Sequence, residues 1–220
     1  MDTRVPVFES PDAGCKKIHS KQAEALHIII IRNPESGKEH YMIKVIGIDP
    51  GLSATGIGIV KGTDLKVKGF SFGSINTSKN LPLPGRLDKI FSNLLILLKD
   101  ERPDLMVVED IFSMVKFPKA GITLGKVTGV VLLAGYQVDV PVTEVPVREA
   151  KQVLTGNGNA SKMQLEKAVR RLLNLTDPIK PYHASDAMGL ALLGLFRHNN
   201  GLSQNPQHKA VTTVSHDRLS

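Results

Sequence analysis

One short segment, KVIGIDPGLSATGIGIV at residues 44–60, constrains the fold of this chain more than any other. Its first apolar run leads directly into the carboxylate of Asp49, and the pair Pro50-Gly51 then turns the chain. A second apolar run, residues 57–60, predicts a partner strand that returns beside the first. A charged group at the end of a buried strand costs roughly several kcal/mol unless something compensates it. The fold therefore has to place a metal ion, a phosphate-bound cation, an arginine or solvent beside Asp49.

The composition is that of a globular chain with a sizeable core. With 220 residues, of which 41% are hydrophobic, the chain suits one full-sized α/β domain. The best apolar run near the N-terminus, residues 26–31, is far shorter than the roughly 18 residues of a membrane helix. The single cysteine, Cys15, excludes an internal disulfide framework and a cysteine-clustered zinc site. Since no signal-peptide pattern is visible either, we expect a protein of a reducing compartment, the cytoplasm.

The positive charge is unevenly placed along the chain. Residues 1–43 carry six basic and six acidic side chains, whereas residues 44–220 carry 22 basic and 15 acidic ones, so the net charge of +7 lies in the second part. A basic body favours an anionic partner, and nucleic acid is the first candidate. A basic surface that merely keeps the protein soluble fits the charge equally well.

The hydrophobic pattern divides the chain into three parts. Residues 1–43 show no steady period and are interrupted by prolines, so we expect an N-terminal extension that is disordered or a mis-assigned start. Met42 stands directly before the first strand and is then the natural start, the alternative being a genuine flexible arm. Residues 44–198 carry an orderly pattern and are predicted to form the folded domain. Residues 199–220 are polar and are predicted to be a flexible C-terminal tail.

The order of the predicted elements indicates the fold class. The predicted strands are 44–49, 55–61, 66–76, 105–108 and 140–145, and the predicted helices are 85–100, 122–137, 147–154, 161–174 and 182–198. The helix at 161–174 opens on a capping-box pattern, Ser161 to Gln164. Three strands in succession, followed by alternating helices and strands, predict an α/β fold with a mixed five-stranded sheet flanked by helices.

Four polar residues are predicted to meet at the ends of these elements. Asp49 and Glu109 end two strands, while His183 and Asp186 lie three residues apart at the start of the last helix, and so on one helical face. Such carboxylates repel one another unless a cation lies among them, and an oxygen-rich site suits Mg²⁺ or Mn²⁺. Two such ions, about 3.5–4 Å apart, clamp the attacking and leaving oxygens of a phosphodiester.

Taken singly, each of the four residues has an ordinary structural interpretation. Asp49 before Pro-Gly also fits a turn, and Glu109 also fits a solvated charge at a strand end. Asp186 also fits the first turn of a helix, where the macrodipole favours acidic residues. A lone histidine such as His183 is more often a hydrogen-bonded structural residue than a metal ligand. It is their coincidence at element ends that favours a site.

Four segments of this chain resemble one known family. IGIDPGLSATGIGIV, MVVEDIF, REAKQVLTGNGNASK and YHASDAMGLALL are similar to the motifs of the RuvC Holliday-junction resolvases, in the same order and spacing. The resemblance covers about residues 44–197 and implies the ribonuclease H-like fold. It also implies that Asp49, Glu109, His183 and Asp186 form the catalytic, metal-binding set. Many members of the family have aspartate where this chain has His183.

The resemblance further implies how such a protein works. We expect a Mg²⁺-dependent endonuclease, with two ions per site and Mn²⁺ as a substitute, that nicks two strands of a four-way DNA junction symmetrically in recombination and repair. Symmetric cutting needs two sites, so a homodimer is expected. Gly121, Gly125 and Gly129 line one stripe of a predicted helix, where either the protein's own sheet or a twin helix would approach. The branch-migration proteins RuvA and RuvB are the implied partners.

Two lysines flank a flexible loop at residues 154–159. Lys151 precedes this loop and Lys162 follows it. The resemblance implies that both contact the DNA backbone near the scissile phosphate. Without it, a solvated surface position is the usual place of a lysine.

A predicted loop at residues 113–121 follows the Glu109 strand and contains further candidate DNA contacts. Phe112 immediately precedes this loop, and Lys116 and Lys119 lie within it. An aromatic side chain at this place would stack on a base that is unstacked at the junction. A buried core phenylalanine is the competing interpretation of Phe112.

Two other function classes fit parts of the pattern. The GIDPGLSATGIG hairpin also resembles the phosphate-binding hairpin of the actin and sugar-kinase superfamily, but such an ATP-binding protein needs a second domain, for which the chain from Lys44 onward has no room. A nuclease-inactive nucleic-acid-binding relative would keep the fold and lose an acidic ligand. Divalent-dependent cleavage of a labelled junction distinguishes all three.

Overall fold

A computed structural model of the chain describes residues 16–17, 27–32, 42–63, 66–110 and 118–201. The strands in these ranges are β1 Lys16–Lys17, β2 His27–Arg32, β3 Ile43–Asp49, β4 Ala54–Thr63, β5 Lys66–Asn76, β6 Leu105–Glu109 and β7 Val142–Val145. The helices are α1 Leu83–Glu101, α2 Pro118–Gln137, α3 Val147–Thr155, α4 Lys162–Leu172 and α5 Tyr182–Gly201. None of these helices has the length and the apolar character needed to cross a membrane.

The strands form one mixed sheet in the order β1-β2-β5-β4-β3-β6-β7. The first five strands in this order pair antiparallel, whereas β3, β6 and β7 run parallel to one another. The antiparallel meander from β3 to β5 and the crossover helices before β6 and β7 produce this arrangement. The predicted five-stranded mixed sheet is thus confirmed as the part from β3 to β7.

Two further strands extend the sheet beyond the predicted domain. Strand β2 pairs antiparallel with β5 along its whole length, from His27 opposite Ser74 to Arg32 opposite Gly69. No regular element was predicted in residues 1–43. The isoleucine-rich run of β2 has high strand propensity, and β5 offers an open edge with which such a strand pairs.

Two helix boundaries differ from the predicted ones for a reason that proline explains. Helix α1 begins at Leu83, after Pro82 and with proline in its first turn, rather than at residue 85. Helix α2 begins at Pro118 rather than at residue 122. Proline is favoured at the start of a helix because its fixed φ suits the first turn, where its missing N–H costs nothing. Lys119 was predicted to lie in a loop, but it lies in the first turn of α2.

The sheet separates two hydrophobic cores. Successive residues of a strand point to opposite faces. Ile46 and Ile48 of β3 pack with α1 and α2 on one face, whereas Val45 packs with α4 and α5 on the other. Both cores consist largely of fully buried aliphatic side chains, so the strand ends are held rigidly relative to the helices.

Helix α5 lies directly on the backbone of the sheet. A methyl group built on Gly47 would lie 2.1 Å from the carbonyl oxygen of Ala187, and one built on Gly58 would lie 2.6 Å from the Cα of Met188. No side chain fits at these two positions without moving the helix. Glycine in β3 and β4 thus fixes how closely α5 approaches the strand that ends in Asp49.

Candidate active site

Asp49 and Glu109 are brought together by two neighbouring parallel strands. Strands β3 and β6 pair with Ile48 opposite Val108, so the next residue on each strand is one of the two acids. Both acids also share the sheet face of Val45 and Val107, which is the face that α5 covers. The predicted meeting of the two strand ends is therefore present, and it follows from register and from the alternation of side chains.

The first turn of α5 brings His183 and Asp186 to the same place. His183 Nδ1 lies 2.6 Å from Oδ2 of Asp49, which is a hydrogen bond across the β3–α5 contact. Gly56 on β4 allows this approach, because a methyl group there would lie 2.1 Å from the carbonyl oxygen of His183. Asp186, one helical turn later, is 6% exposed.

Lys162 lies at the start of α4 and faces Asp186. Its Nζ is 3.3 Å from Oδ2 of Asp186, while most of the lysine side chain stays exposed. The start of α4 is fixed by the predicted capping box, in which Ser161 accepts from the backbone N–H of Gln164 and its own N–H donates to the Gln164 side chain. Because α4 begins at this cap, Lys162 projects at the edge of the acidic cluster.

Burial, and after it the neighbouring charges, weakens two of the carboxylates as acids. The pKa of Glu109 is raised from its ordinary 4.5 to about 8, first because burial disfavours the charged form and then because of the hydrogen bond to Asp49 and the negative charges of Asp49 and Asp186. Burial likewise raises the pKa of Asp186 above 3.8, although Lys162 opposes this shift. Burial thus opposes the ionisation of both acids in the metal-free cleft.

The pKa values of the two basic groups, His183 and Lys162, are also raised, which favours their charged forms. The hydrogen bond to Asp49 raises the pKa of His183 above 6.5, although burial alone would lower it. Burial, the largest single effect, lowers the pKa of Lys162. The charge and hydrogen bond of Asp186, together with the charges of Asp49 and Glu109, outweigh it, so the pKa lies above 10.5. Both shifts favour the cationic form, which again indicates a place where positive charge is stabilised.

A cleft of about 560 Å³ contains all four predicted acidic and imidazole groups. Asp49, Glu109, His183 and Asp186 line it, and so do both predicted lysines, Lys151 and Lys162. Phe112 and Lys116 lie outside the described residues. Lys119 lies in the first turn of α2, as noted above, next to the cleft-lining Ala120.

The cleft also contains residues that the sequence analysis did not select. Asp110, Thr123 and Leu124 line it, together with Leu52 from the turn after Asp49. Asp110 adjoins Glu109 in the sequence, which was an available signal. Thr123 and Leu124 carried no signal of their own, because a threonine and a leucine within a predicted helix do not indicate a site.

An arginine that the sequence analysis also missed holds the turn after Asp49. Arg86 of α1 donates through Nε to Thr77 Oγ1 at 2.8 Å and through a second nitrogen to Ser53 Oγ at 3.1 Å. Thr77 in turn donates to the carbonyl oxygen of Leu52. The turn that follows the first acid is therefore braced by a helix on the far side of the sheet.

The donor set of this cleft fits a divalent cation. Three carboxylates and one imidazole are available, and oxygen-rich sets of this kind suit Mg²⁺ or Mn²⁺. Within the described ranges no three His, Cys, Asp or Glu side chains already converge as metal ligands, since His183 is bonded to Asp49 and Lys162 to Asp186. A cation bound here would oppose the burial and the neighbouring charges that raise the pKa of Glu109, and so would favour its ionised form.

The free energy of unfolding of the metal-free protein is expected to fall as the pH rises. Between the unfolded pKa of Glu109, 4.5, and its folded pKa of about 8, the folded state binds more protons than the unfolded state. Raising the pH through this window therefore disfavours folding, and the raised pKa values of His183 and Asp186 act in the same direction. Glu109→Gln should flatten the dependence. Urea unfolding in EDTA across the window measures it, with the exposed Glu144→Gln as control, and an unchanged slope in Glu109→Gln would contradict the assignment.

Comparisons with known proteins give the family. The family model described as "Crossover junction endodeoxyribonuclease RuvC" matches residues 45–194. Proteins of that name from Brevibacillus brevis and Thermosipho melanesiensis are 37% and 38% identical to this chain. Each match covers 68% of this chain, and the two matches cover 90% and 94% of the respective relatives. The Thermus thermophilus RuvC structure in complex with a Holliday junction substrate superimposes with a TM-score of 0.68 and 31% identity, over 72% of this chain and 96% of that one. The expected ribonuclease H-like fold is confirmed, and the chain belongs to the crossover junction endodeoxyribonuclease RuvC family.

Proposed function

We propose that this chain resolves four-way DNA junctions by divalent-metal-dependent, symmetric nicking of two strands in recombination and repair. The observation that carries the proposal is the meeting of Asp49, Glu109, His183 and Asp186 in one cleft. A nuclease-inactive relative would have no need to keep this mutually repelling set. With the family established, the ATP-binding alternative has no remaining support.

Cleavage of a labelled four-way junction tests the proposal. Two nicks at symmetric positions, dependent on a divalent cation and absent on linear duplex of the same sequence, are expected. Junction binding without nicking in any divalent cation would favour the inactive relative. Hydrolysis of ATP in place of nicking would favour the kinase-like class.

Four residues of the cleft would bind the metal ions of this reaction. Asp49, Glu109 and Asp186 would hold Mg²⁺, or Mn²⁺ in its place, as two ions, and His183 would supply a neutral nitrogen ligand. The bound ions supply Lewis acidity and an activated water. The protein places the acids on rigid strand ends, so that little reorganisation is needed when the phosphate arrives.

In this proposal, protonation of His183 sets the lower pH limit of cleavage. A protonated imidazole cannot ligate a metal, and the hydrogen bond to Asp49 raises its pKa above 6.5. We therefore expect nicking to fall as the pH drops through neutrality and to be faster with Mn²⁺ than with Mg²⁺. His183→Asp should shift the acid limb lower and favour Mg²⁺, while His183→Ala should impair both. The pH–rate profile in each metal measures this, and identical acid limbs for parent and His183→Asp would exclude His183 as a titrating ligand.

Lys151 and Lys162 bind the DNA backbone in this proposal. Both line the cleft, and the side chain of Lys162 is 65% exposed. Replacing either with alanine should lower the slope of log affinity against log salt by about one unit, because one phosphate contact is lost. Lys99→Ala, at an exposed position in the last turn of α1, is the matched control. Unchanged slopes for both cleft variants would make these lysines ordinary surface residues.

The segment joining β6 to α2 is the proposed junction-recognition element. Asp110, which directly precedes it, and Ala120, in the first turn of α2, both line the cleft. Phe112 stacks on an unpaired base, and Lys116 and Lys119 contact phosphates. Phe112→Ala should reduce the fluorescence change of a 2-aminopurine placed at the junction centre. A full change in that variant would leave Phe112 a core residue.

The proposed homodimer has a candidate surface on α2. Its exposed residues Ile122, Gly129, Leu133 and Tyr136 recur at helical spacing, and Tyr136 is 72% exposed. A methyl group built on Gly129 meets no atom within 4 Å, so a twin helix has room to approach. Sedimentation should show a dimer that Leu133→Glu dissociates. A parent protein that sediments as a monomer on the junction would contradict this part.

Three further parts of the proposal concern context. The nuclease domain comprises residues 44–198, with residues 1–43 as an extension and residues 199–220 as a tail. Limited proteolysis with mass spectrometry should leave that domain intact. RuvA and RuvB act as branch-migration partners, which is tested by stimulation of nicking on adding them. Fractionation of cells should recover the protein with cytoplasmic DNA-binding proteins.

A further inference from the structure

One buried acid of the described chain has no part in the reaction proposed above. Glu166 of α4 is 5% exposed and lies between the core residues Leu165 and Val169. A buried carboxylate is costly unless charged or hydrogen-bonding partners compensate it. Leucine or alanine would fill such a position at no electrostatic cost, so the partners of Glu166 are informative.

The partners of Glu166 all tie α4 to the loop that follows it. Its Oε1 accepts a hydrogen bond from the backbone N–H of Ile179 at 3.1 Å and faces Arg170 Nε at 3.2 Å. Arg170 in turn donates to the carbonyl oxygen of Thr176 at 2.9 Å. The two side chains thus hold the loop from α4 to α5 at two points, Thr176 and Ile179.

This loop leads directly into the first turn of α5. Ile179 is fully buried, and only two residues separate it from the start of α5 at Tyr182. His183 is therefore four residues beyond the amide that Glu166 binds. The anchoring of Ile179 sets where the helix begins, and the start of the helix sets where His183 and Asp186 project.

Helix α4 also holds the same turn of α5 at a second point. Lys162 lies four residues before Glu166, on the same face of α4, and its Nζ is 3.3 Å from Asp186. One bond fixes the approach to α5 and the other fixes the acid within it. Loss of the Glu166 contact would let the loop slide while the cap of α4 and its core residues stay in place.

We propose that Glu166 is a positioning residue of the nuclease site, holding His183 and Asp186 in place against Asp49 through the amide of Ile179. This inference rests on the proposed function, because the readout is nicking. Glu166 is not among the residues that line the cleft. Its effect is on the geometry of two residues that do, and misplacement of such groups by about 1 Å costs about 100-fold in rate.

Two substitutions separate the hydrogen bond from the charge. Glu166→Gln keeps an oxygen that accepts from Ile179, whereas Glu166→Ala leaves that amide without it. We expect single-turnover nicking to fall about tenfold or more in Glu166→Ala, with rescue to within about threefold in Glu166→Gln. The dissociation constant for the junction should change by less than about threefold in both, since the contact lies outside the DNA-binding groups. Hydrogen exchange at the Ile179 amide should be fast only in Glu166→Ala.

A matched control excludes simple destabilisation. Val140→Ala truncates a buried residue of the core on the opposite sheet face and should lower stability without lowering nicking at the same temperature. Normal nicking in Glu166→Ala would overturn the proposal, and so would equal losses in Glu166→Ala and Val140→Ala. Should Glu166→Ala not fold, Glu166→Met, which fills the position but cannot accept from the Ile179 amide, decides in its place. Normal nicking in that variant would then overturn the proposal. A parent protein that does not nick at all would refute the proposed function instead.

Discussion

Asp49→Asn, Glu109→Gln and Asp186→Asn are each expected to reduce junction nicking by more than about 100-fold, because even residues that only support metal ligands contribute about 10- to 100-fold. Each substitution keeps the shape of the side chain and replaces one carboxyl oxygen with an amide nitrogen, which does not bind the metal. Junction binding should be retained or slightly tightened, since the surface that faces the phosphates becomes less negative. Nicking and binding are measured on the same labelled junction.

The exposed Glu144→Gln on β7 is the control for these three variants. It removes the same charge from a neighbouring strand without touching the cleft, and it should nick as the parent does. Near-normal nicking in any one of the three cleft variants would show that its acid is not a required ligand. Loss of binding in parallel with nicking would indicate a folding defect instead.

Gly56→Ala is expected to have the next largest effect, although glycine carries no functional group. A methyl group at this position would lie 2.1 Å from the carbonyl oxygen of His183, so the first turn of α5 has to move. Overpacking of this kind lowers the free energy of unfolding by about 1–3 kcal/mol. A displacement of about 1 Å at the reacting groups lowers nicking by about 100-fold.

Gly69→Ala distinguishes this effect from a general cost of alanine in a strand. Gly69 lies on β5, and a methyl group there meets no atom within 4 Å. It should therefore fold and nick as the parent does. If Gly56→Ala nicked normally while remaining folded, the close packing of α5 on β4 would not be what places His183.

The acidic cluster was predictable because its position follows from topology. Strand ends are visible in the hydrophobic pattern, and Asp49 and Glu109 each follow one. His183 and Asp186 were predictable as a pair because their spacing is helical. The capping box at Ser161 was predictable for the same reason, as it depends on local sequence alone.

The pairing of side chains within the cluster was beyond the sequence. The bond from His183 to Asp49 joins residues 134 positions apart, and the contact of Lys162 with Asp186 depends on how α4 packs against α5. Lys162 was predicted to contact only the DNA backbone and no acid of the cluster. The role of Glu166 was not predicted, because a glutamate in a helix is normally exposed and only tertiary packing buries this one.

Helix α5 is the last of the described elements, yet it carries half of the proposed ligands. During synthesis Asp49 and Glu109 leave the ribosome well before His183 and Asp186, and domains fold as units when their chain is complete. A growing or prematurely terminated chain therefore displays two acids without their partners and cannot assemble the site. Because two of the four proposed ligands are synthesised last, cleavage can begin only after α5 has packed on the completed sheet.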